Sequence, residues 1–300
     1  MESTPTLSTV LSQWNLHVFW VLALIGLGAV FFWGFRRAAR LGFRHPRWRL
    51  GLFLSALVVV FLAVCSPVDH YGRDILWVDF TGFLLLTMVA PPMLLLAAPL
   101  TLAFRATGKN GRKRLRWLYR CKFVAIISFP VATWLLFAVA TYLWQFTDLT
   151  DMAARHQSLR YLQQSSLLLV GLLFWSPAVA ADPLRWRLPY PLRSLYVFVE
   201  MTHKGLFGGM FLSMTSVMHS ELAARAPAWA PAPLTDQRIA ILILWIGGNL
   251  IFLLALIAMV FGWVGYEKRN QERVDRRLRR EAEARAKRRA ALDQVFQKPV

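Results

Sequence analysis

Charge is what this chain has least of. Asp, Glu, Lys and Arg together make up 17% of its 300 residues, while 57% are hydrophobic. A soluble domain of this size carries about 25% charge, so a soluble fold is excluded. Acidic residues are the scarcer kind, 16 against 35 basic. Cysteine is nearly absent: there are only Cys65 and Cys121, and no Cys-x-x-Cys. The chain also lacks a phosphate-binding glycine loop and a nucleophile–base–acid set. No enzymatic activity is expected from it. Residues 1–16 contain no Lys or Arg, so no cleaved signal peptide is expected. The last apolar block holds no lysine, which excludes a retinal Schiff base there.

What is present is long apolar runs. A helix needs about 20 apolar residues to cross the hydrocarbon core of a bilayer. Seven blocks come near this: 18–35, 50–65, 75–104, 123–144, 159–181, 195–218 and 239–266. They predict an all-α polytopic membrane protein with seven transmembrane helices. The expected organisation is a membrane domain over 1–266 and a basic, helical cytoplasmic tail over 267–300.

The excess of positive charge is a topology signal rather than a nucleic-acid signal. Basic residues crowd the segments after the first, third and fifth blocks and the tail. On the other side fall only Arg73, Arg155, Arg160, Arg225 and Arg238, and Lys204 lies within a block. The positive-inside rule therefore places the N-terminus outside and the C-terminus in the cytoplasm. Cys65 and Cys121 then lie on opposite faces, roughly 30 Å apart, and cannot pair. The basic tail is expected to meet anionic lipid.

Polar residues in and near the blocks are the candidate functional groups, because each is costly in hydrocarbon. Asp79, Gln145, Gln163, Gln164, His219, Asp236 and Gln237 all fall at the outer ends of their blocks. They either line a pocket open to the outside or cap helix ends at the headgroups. In the sixth block Glu200 and Lys204 stand four apart, an order that favours an ion pair on one helix face. With His203 they could also form an intramembrane relay for a proton or small ion. Gly205, Gly209 and Ser213 make a stripe on which another helix could pack closely. Met210, Met214 and Met218 recur every four residues, with His219 beside the last. That face suits either core packing or Cu(I), which prefers thioether and imidazole ligands. Pro91 and Pro92 should bend the third helix about halfway along its length.

The order of motifs resembles the CtaG-type cytochrome c oxidase assembly factors of bacterial membranes. Ser66-Pro67 is followed by LLLTMVAPPMLLLAAPL (84–100), then Leu143-Trp144-Gln145 and SLLLVGLLFWSPAV (166–179). Asp182-Pro183 and DQRIAILILWIGG (236–248) complete the series. The resemblance covers roughly residues 15–266. It implies a multi-pass protein of the bacterial inner membrane that acts in the respiratory chain. Its role would be to help assemble a haem–copper oxidase, by scaffolding or by copper-centre maturation at the outer face. It implies oxidase subunits or other assembly factors as partners, with no role for nucleic acid.

The resemblance also implies histidines at the outer ends of several helices, as candidates for a metal. At those positions this chain has Asp79 and Phe83, then Gln145, then Arg160 and Gln164. It is in this respect a divergent member. Copper binding is then either lost or rebuilt from a set such as Asp79, Met214, Met218 and His219, with His70 and Cys65 in reserve.

Overall fold

Long apolar segments can satisfy their backbone polar groups in hydrocarbon by coiling into helices. The computed structural model is all-helical, with no strand among the described residues. It describes residues 6–108, 111–114, 117, 121–179, 181–182 and 185–296. The extreme ends of the two expected regions, 1–5 and 297–300, therefore lie outside the described residues. So do Lys109, Arg116 and Arg120 of the basic segment, and Pro183.

After the short α1 (Leu7–Ser12), α2 runs over Val18–Arg40. It stops at Gly42, whose φ of 80° suits glycine alone. Gly42 N–H donates to Ala39 O and Phe43 N–H to Ala38 O, a Schellman ending. The chain turns back into α3 (Arg47–Cys65) and α4 (Pro67–Tyr71). Ser66 caps α4 by accepting from Val68 N–H at 3.1 Å, with Pro67 in the first turn.

The third block forms α5 (Leu76–Leu84), a π-helical turn (Leu85–Val89) and α6 (Ala90–Leu96). The proline bend takes a specific form. Pro91 has no N–H for the carbonyl four residues back, Thr87 O. The indole of Trp175 donates to that carbonyl instead, at 3.1 Å. Gly171 lets the two helices approach this closely. A Cβ there would sit 2.8 Å from Pro91 Cγ and 2.9 Å from Thr87 O. The irregularity thus begins ahead of the prolines, where the helix widens, rather than at them. A sharper interruption follows at Ala98, left-handed with φ 54°. Beyond it α7 (Pro99–Ala106) starts afresh. Asp182 caps α7, accepting from Leu100 N–H at 3.1 Å and Thr101 N–H at 2.8 Å. His45 Nε2 lies 3.1 Å from Ala97 O, tying the α2–α3 loop to the same break.

The remaining helices are α8 (Lys122–Ile127), α9 (Pro130–Gln145), α10 (Leu149–Arg155), α11 (Gln157–Val179) and α12 (Tyr190–Leu212). Then come α13 (Ser220–Arg225), α14 (Pro233–Leu242), a second π turn (Ile243–Gly247) and the 49-residue α15 (Gly248–Phe296). Helix α11 packs between α6 and α9, α12 lies along α15, and α14 lies along α5. Phe80, Phe83, Phe137, Phe174, Trp175 and Phe252 fill the core. Cys65 and Cys121 are both free, as expected.

Five helical stretches are long and apolar enough to cross a membrane: Val18–Arg40, Arg47–Tyr71, Leu76–Ala106, Gln157–Val179 and Pro233–Lys287. By length and composition this is a multi-pass membrane protein. The other two expected spans are helical but do not reach that standard. The fourth block is divided at Ser128–Phe129, ahead of Pro130. That leaves α9 with 16 residues, about 24 Å of helix against a core of about 30 Å. In the sixth, α12 carries Glu200, His203 and Lys204 and ends at Leu212, short of the expected Met218. The residues that follow, Ser213 to Ser216, are mostly Ser and Thr, which are weak helix formers.

Candidate functional site

Two buried polar clusters among the described residues hold most of the expected intramembrane polar side chains. The first gathers at the end where α4, α5 and α11 meet. Asp69, in the first turn of α4, is fully buried. Its Oδ1 accepts from Arg160 Nε at 3.1 Å and Gln164 Nε2 at 2.6 Å. Its Oδ2 accepts from Arg73 Nη2 at 3.3 Å and lies 2.9 Å from His17 Nε2. Arg160 reaches on with Nη1 to Asp79 Oδ1 at 2.5 Å and Gln163 Oε1 at 3.0 Å. Gln164 Oε1 accepts from the Trp20 indole at 2.7 Å. Two carboxylates thus face two guanidiniums, which is how buried charge becomes tolerable. Asp79 Oδ2 and Gln163 Nε2 remain without a partner among the described residues. They border a void of ≈ 10 Å³, barely room for one water, walled by Phe83 and Leu86.

Three expected site residues, Asp79, Gln163 and Gln164, do come together here. The centre of the network is Asp69 with Arg160, and sequence reasoning assigned neither a role there. Asp69 sits just past the end of an apolar block, which was its only signal. Four of the five positions where the family resemblance implies histidine meet at this place: Asp79, Phe83, Arg160 and Gln164. The fifth, Gln145, is buried elsewhere, with neither side-chain polar atom partnered among the described residues.

The other residues expected at outer ends hold helix ends and a loop. Asp236 caps α5, accepting from Leu76 N–H and Trp77 N–H, each at 2.9 Å. Gln237 Oε1 accepts from Met218 N–H at 2.8 Å, and its Nε2 donates to Ser216 O at 3.1 Å. His219 Nε2 lies 3.1 Å from Gln145 O, and its Nδ1 3.6 Å from Asp151 Oδ2. His70 Nδ1 is 3.3 Å from Asn15 Nδ2, and Cys65 is buried at the end of α3.

The residues expected as a copper set are spread over separate contacts. The Met face expected in the sixth block is not a helical face, because α12 ends before Met214 and Met218. His219 belongs to the Asp151–Gln145 contact and Asp79 to Arg160, so the two do not share a site. No group of three or more His, Cys, Asp or Glu side chains able to hold a metal occurs among the described residues. Where the carboxylates of Asp69 and Asp79 converge, a guanidinium already stands between them.

The second cluster lies between α9, α12 and the second π turn. Lys204 is buried, and its ammonium is ringed by aromatic faces. The centroids of Phe137, Phe252 and Phe83 lie 5.0, 5.5 and 5.6 Å from Nζ. Nζ also donates to Met88 Sδ at 3.8 Å. The expected Glu200–Lys204 ion pair does not form among the described contacts. The ring cage draws the ammonium towards α5 and the first π turn, while Glu200 Oε2 lies 3.4 Å from His203 Nδ1. His203 Nε2 is in turn 2.9 Å from Tyr142 Oη. The close helix approach is also displaced from the expected stripe. A Cβ on Gly208 would meet Trp245 Cγ at 2.7 Å, while nothing lies within 4 Å of one on Gly209.

Residues 4–265 match the model of a family described as cytochrome c oxidase caa3 assembly factor (Caa3_CtaG). The chain is 29% identical over 285 residues to uncharacterized protein ML1998 of Mycobacterium leprae. It is 28% identical over the same length to uncharacterized protein Mb0105 of Mycobacterium bovis. Each alignment covers 92% of this chain but 43% of the relative, so the chain spans less than half the length of these curated relatives. No solved structure matches it.

Proposed function

We propose, from the premise that this chain belongs to the cytochrome c oxidase caa3 assembly factor family, that it serves oxidase assembly by holding an intermediate rather than by passing copper. The observation that carries this reading is the Arg160 guanidinium, set between Asp69 and Asp79 where the family resemblance implies metal-binding histidines. An internal cation does there what a metal ion would do electrostatically. It neutralises the carboxylates and locks α4, α5 and α11 together, but it cannot be handed on.

In this reading the seven apolar blocks all cross a bacterial inner membrane, with the N-terminus outside and the Arg160 network at the outer face. The shorter α9 and the charged α12 are shielded from lipid by their neighbours. Residues 1–266 form the membrane domain. The tail from 267 starts against anionic headgroups, since each basic residue near such a surface contributes about 1 kcal/mol. The partners are oxidase subunits or other assembly factors, which dock on the outer face or the lipid-facing sides of the bundle.

Deleting the chain in its host tests this. Oxidase activity is expected to fall, and copper added to the medium is expected not to restore it. Normal oxidase levels in the deletion strain would overturn the assignment to oxidase assembly. Full restoration by copper would replace scaffolding with copper-centre maturation.

A further inference from the structure

We propose that the cavity beside Glu200 is an intramembrane proton-binding site, in which Glu200 takes up and releases one proton through His203 and Tyr142. This inference rests on the reading that α12 lies within the membrane, but not on a role in oxidase assembly. The cavity is ≈ 20 Å³, room for one water, and is lined by Thr141, Tyr142, Glu200, His203, Lys204 and Trp245 among others.

The polar groups around it are left open in a specific way. Glu200 is 1% exposed, yet its Oε2 has no hydrogen-bond partner among the described residues, and neither has His203 Nδ1. The two atoms lie 3.4 Å apart, so a small rotation closes a hydrogen bond between them. His203 Nε2 already meets Tyr142 Oη at 2.9 Å. Glu200, His203 and Tyr142 therefore form a chain of exchangeable protons from mid-helix to the half-buried Tyr142.

A purely structural pair would close on itself. Glu200 and Lys204 are four residues apart on one helix, yet the ammonium is held away in its aromatic cage. It stays near enough to moderate the carboxylate's charge without sealing its oxygens. The site also adjoins both π turns. Trp245 of the second lines the cavity, and Met88 of the first contacts Lys204. Such turns recur at functional sites because they displace side chains from the regular helical face.

The titratable groups around Glu200 are few. Tyr196, His203 and Lys204 lie on its own helix, and Tyr142 comes from α9. The segment of α14 and the second π turn that faces the cavity contributes Ile241, Leu244 and Trp245. No second carboxylate lines the cavity among the described residues.

The transfer balances without any co-reactant. Neutral His203 carries its hydrogen on Nδ1, pointing at Glu200, and accepts from the Tyr142 hydroxyl on Nε2. A proton arriving at Tyr142 displaces the hydroxyl proton onto Nε2, and the Nδ1 proton passes to Glu200 Oε2. At Tyr142 one O–H bond forms and one breaks, at His203 one N–H bond forms and one breaks, and at Glu200 one O–H bond forms with the arriving proton as the net gain. Release runs the same path backwards and restores the starting tautomer.

The test uses the purified full chain in phosphatidylcholine nanodiscs, followed by infrared difference spectroscopy from pH about 10 to about 4. A carboxylic-acid C=O band should grow as the pH falls. It should vanish in Glu200→Gln and shift in frequency in Glu200→Asp. In Tyr142→Phe the band should persist, but its hydrogen–deuterium exchange should slow by roughly tenfold or more. A wild-type protein with no band that depends on Glu200 overturns the proposal. So does a Tyr142→Phe variant that exchanges as fast as wild type. The Tyr142→Phe measurement stands on its own if Glu200→Gln fails to fold.

Discussion

The two buried clusters share a wall, Phe83, and use similar residues to opposite ends. Around Arg160, each carboxylate meets a guanidinium, although Asp79 Oδ2, Gln163 Nε2 and Arg73 Nε have no partner among the described residues. Around Lys204, the cation faces aromatic rings while the carboxylate and the imidazole keep open atoms. The first arrangement joins α4, α5 and α11, and losing one member strands the others. The second spends less on mutual pairing and leaves its groups available for exchange. In a low-dielectric interior a carboxylate paired with a guanidinium is held charged, whereas one without such a partner is a group whose protonation state can change.

Arg160→Met should show the largest effect. It leaves Asp69 and Asp79 as unpaired buried charges, at a cost of about 3–5 kcal/mol. The expected result is a large drop in melting temperature in detergent, or failure to accumulate. The matched change Lys204→Met replaces an ammonium in a ring cage with an apolar chain of similar length. It should cost less than about 1.5 kcal/mol. Equal losses in the two variants would erase the contrast drawn here.

Trp175→Phe probes the wall shared with the first π turn. It removes the donor to Thr87 O and leaves a buried carbonyl unsatisfied, for an expected loss of about 1–3 kcal/mol. Calorimetry or thermal scanning would read it. A neutral result would mean that the carbonyl freed by Pro91 finds another partner.

The smallest effect concerns the opposite end of the bundle. Burial lowers the pKa of His45 from its ordinary 6.5, against a raising contribution from its bond to Ala97 O. The folded state therefore binds this proton less readily than the unfolded chain does. The stability contributed by neutral His45 is fully present above pH 6.5 and is lost as pH falls below it. The slope is at most about 1.4 kcal/mol per pH unit. Melting temperatures compared at pH about 7.5 and about 5 should converge less in wild type than in His45→Gln. The same pH dependence in both would remove His45 as its source.

The sequence made the helical class, the membrane setting and the family legible, because these depend on long apolar runs and on motifs contiguous in the chain. It also pointed to the right end for the first cluster, since Asp79, Gln163 and Gln164 were singled out by their place at block ends. It did not reveal Asp69 and Arg160 as the centre, because their partnership joins residues 91 positions apart. The Met stripe misled for a local reason: four-residue spacing implies one face only while the helix lasts, and α12 ends at Leu212. Likewise i, i+4 spacing allowed a Glu200–Lys204 pair, but three rings from other helices competed for the ammonium.

Asp182 and Trp175 show the divide most plainly. Both stood in motifs that carried the family resemblance, and neither had a stated task. In the folded chain one caps α7 and the other satisfies the carbonyl that Pro91 leaves free. What the sequence alone determined was which segments must leave water and that Pro91 would leave a backbone group unpaired. Which side chain would answer that group, and which buried charges would close on each other or stay open, was decided by tertiary packing. Hydrophobicity is summed along the chain, whereas a hydrogen bond depends on where two distant atoms come to rest.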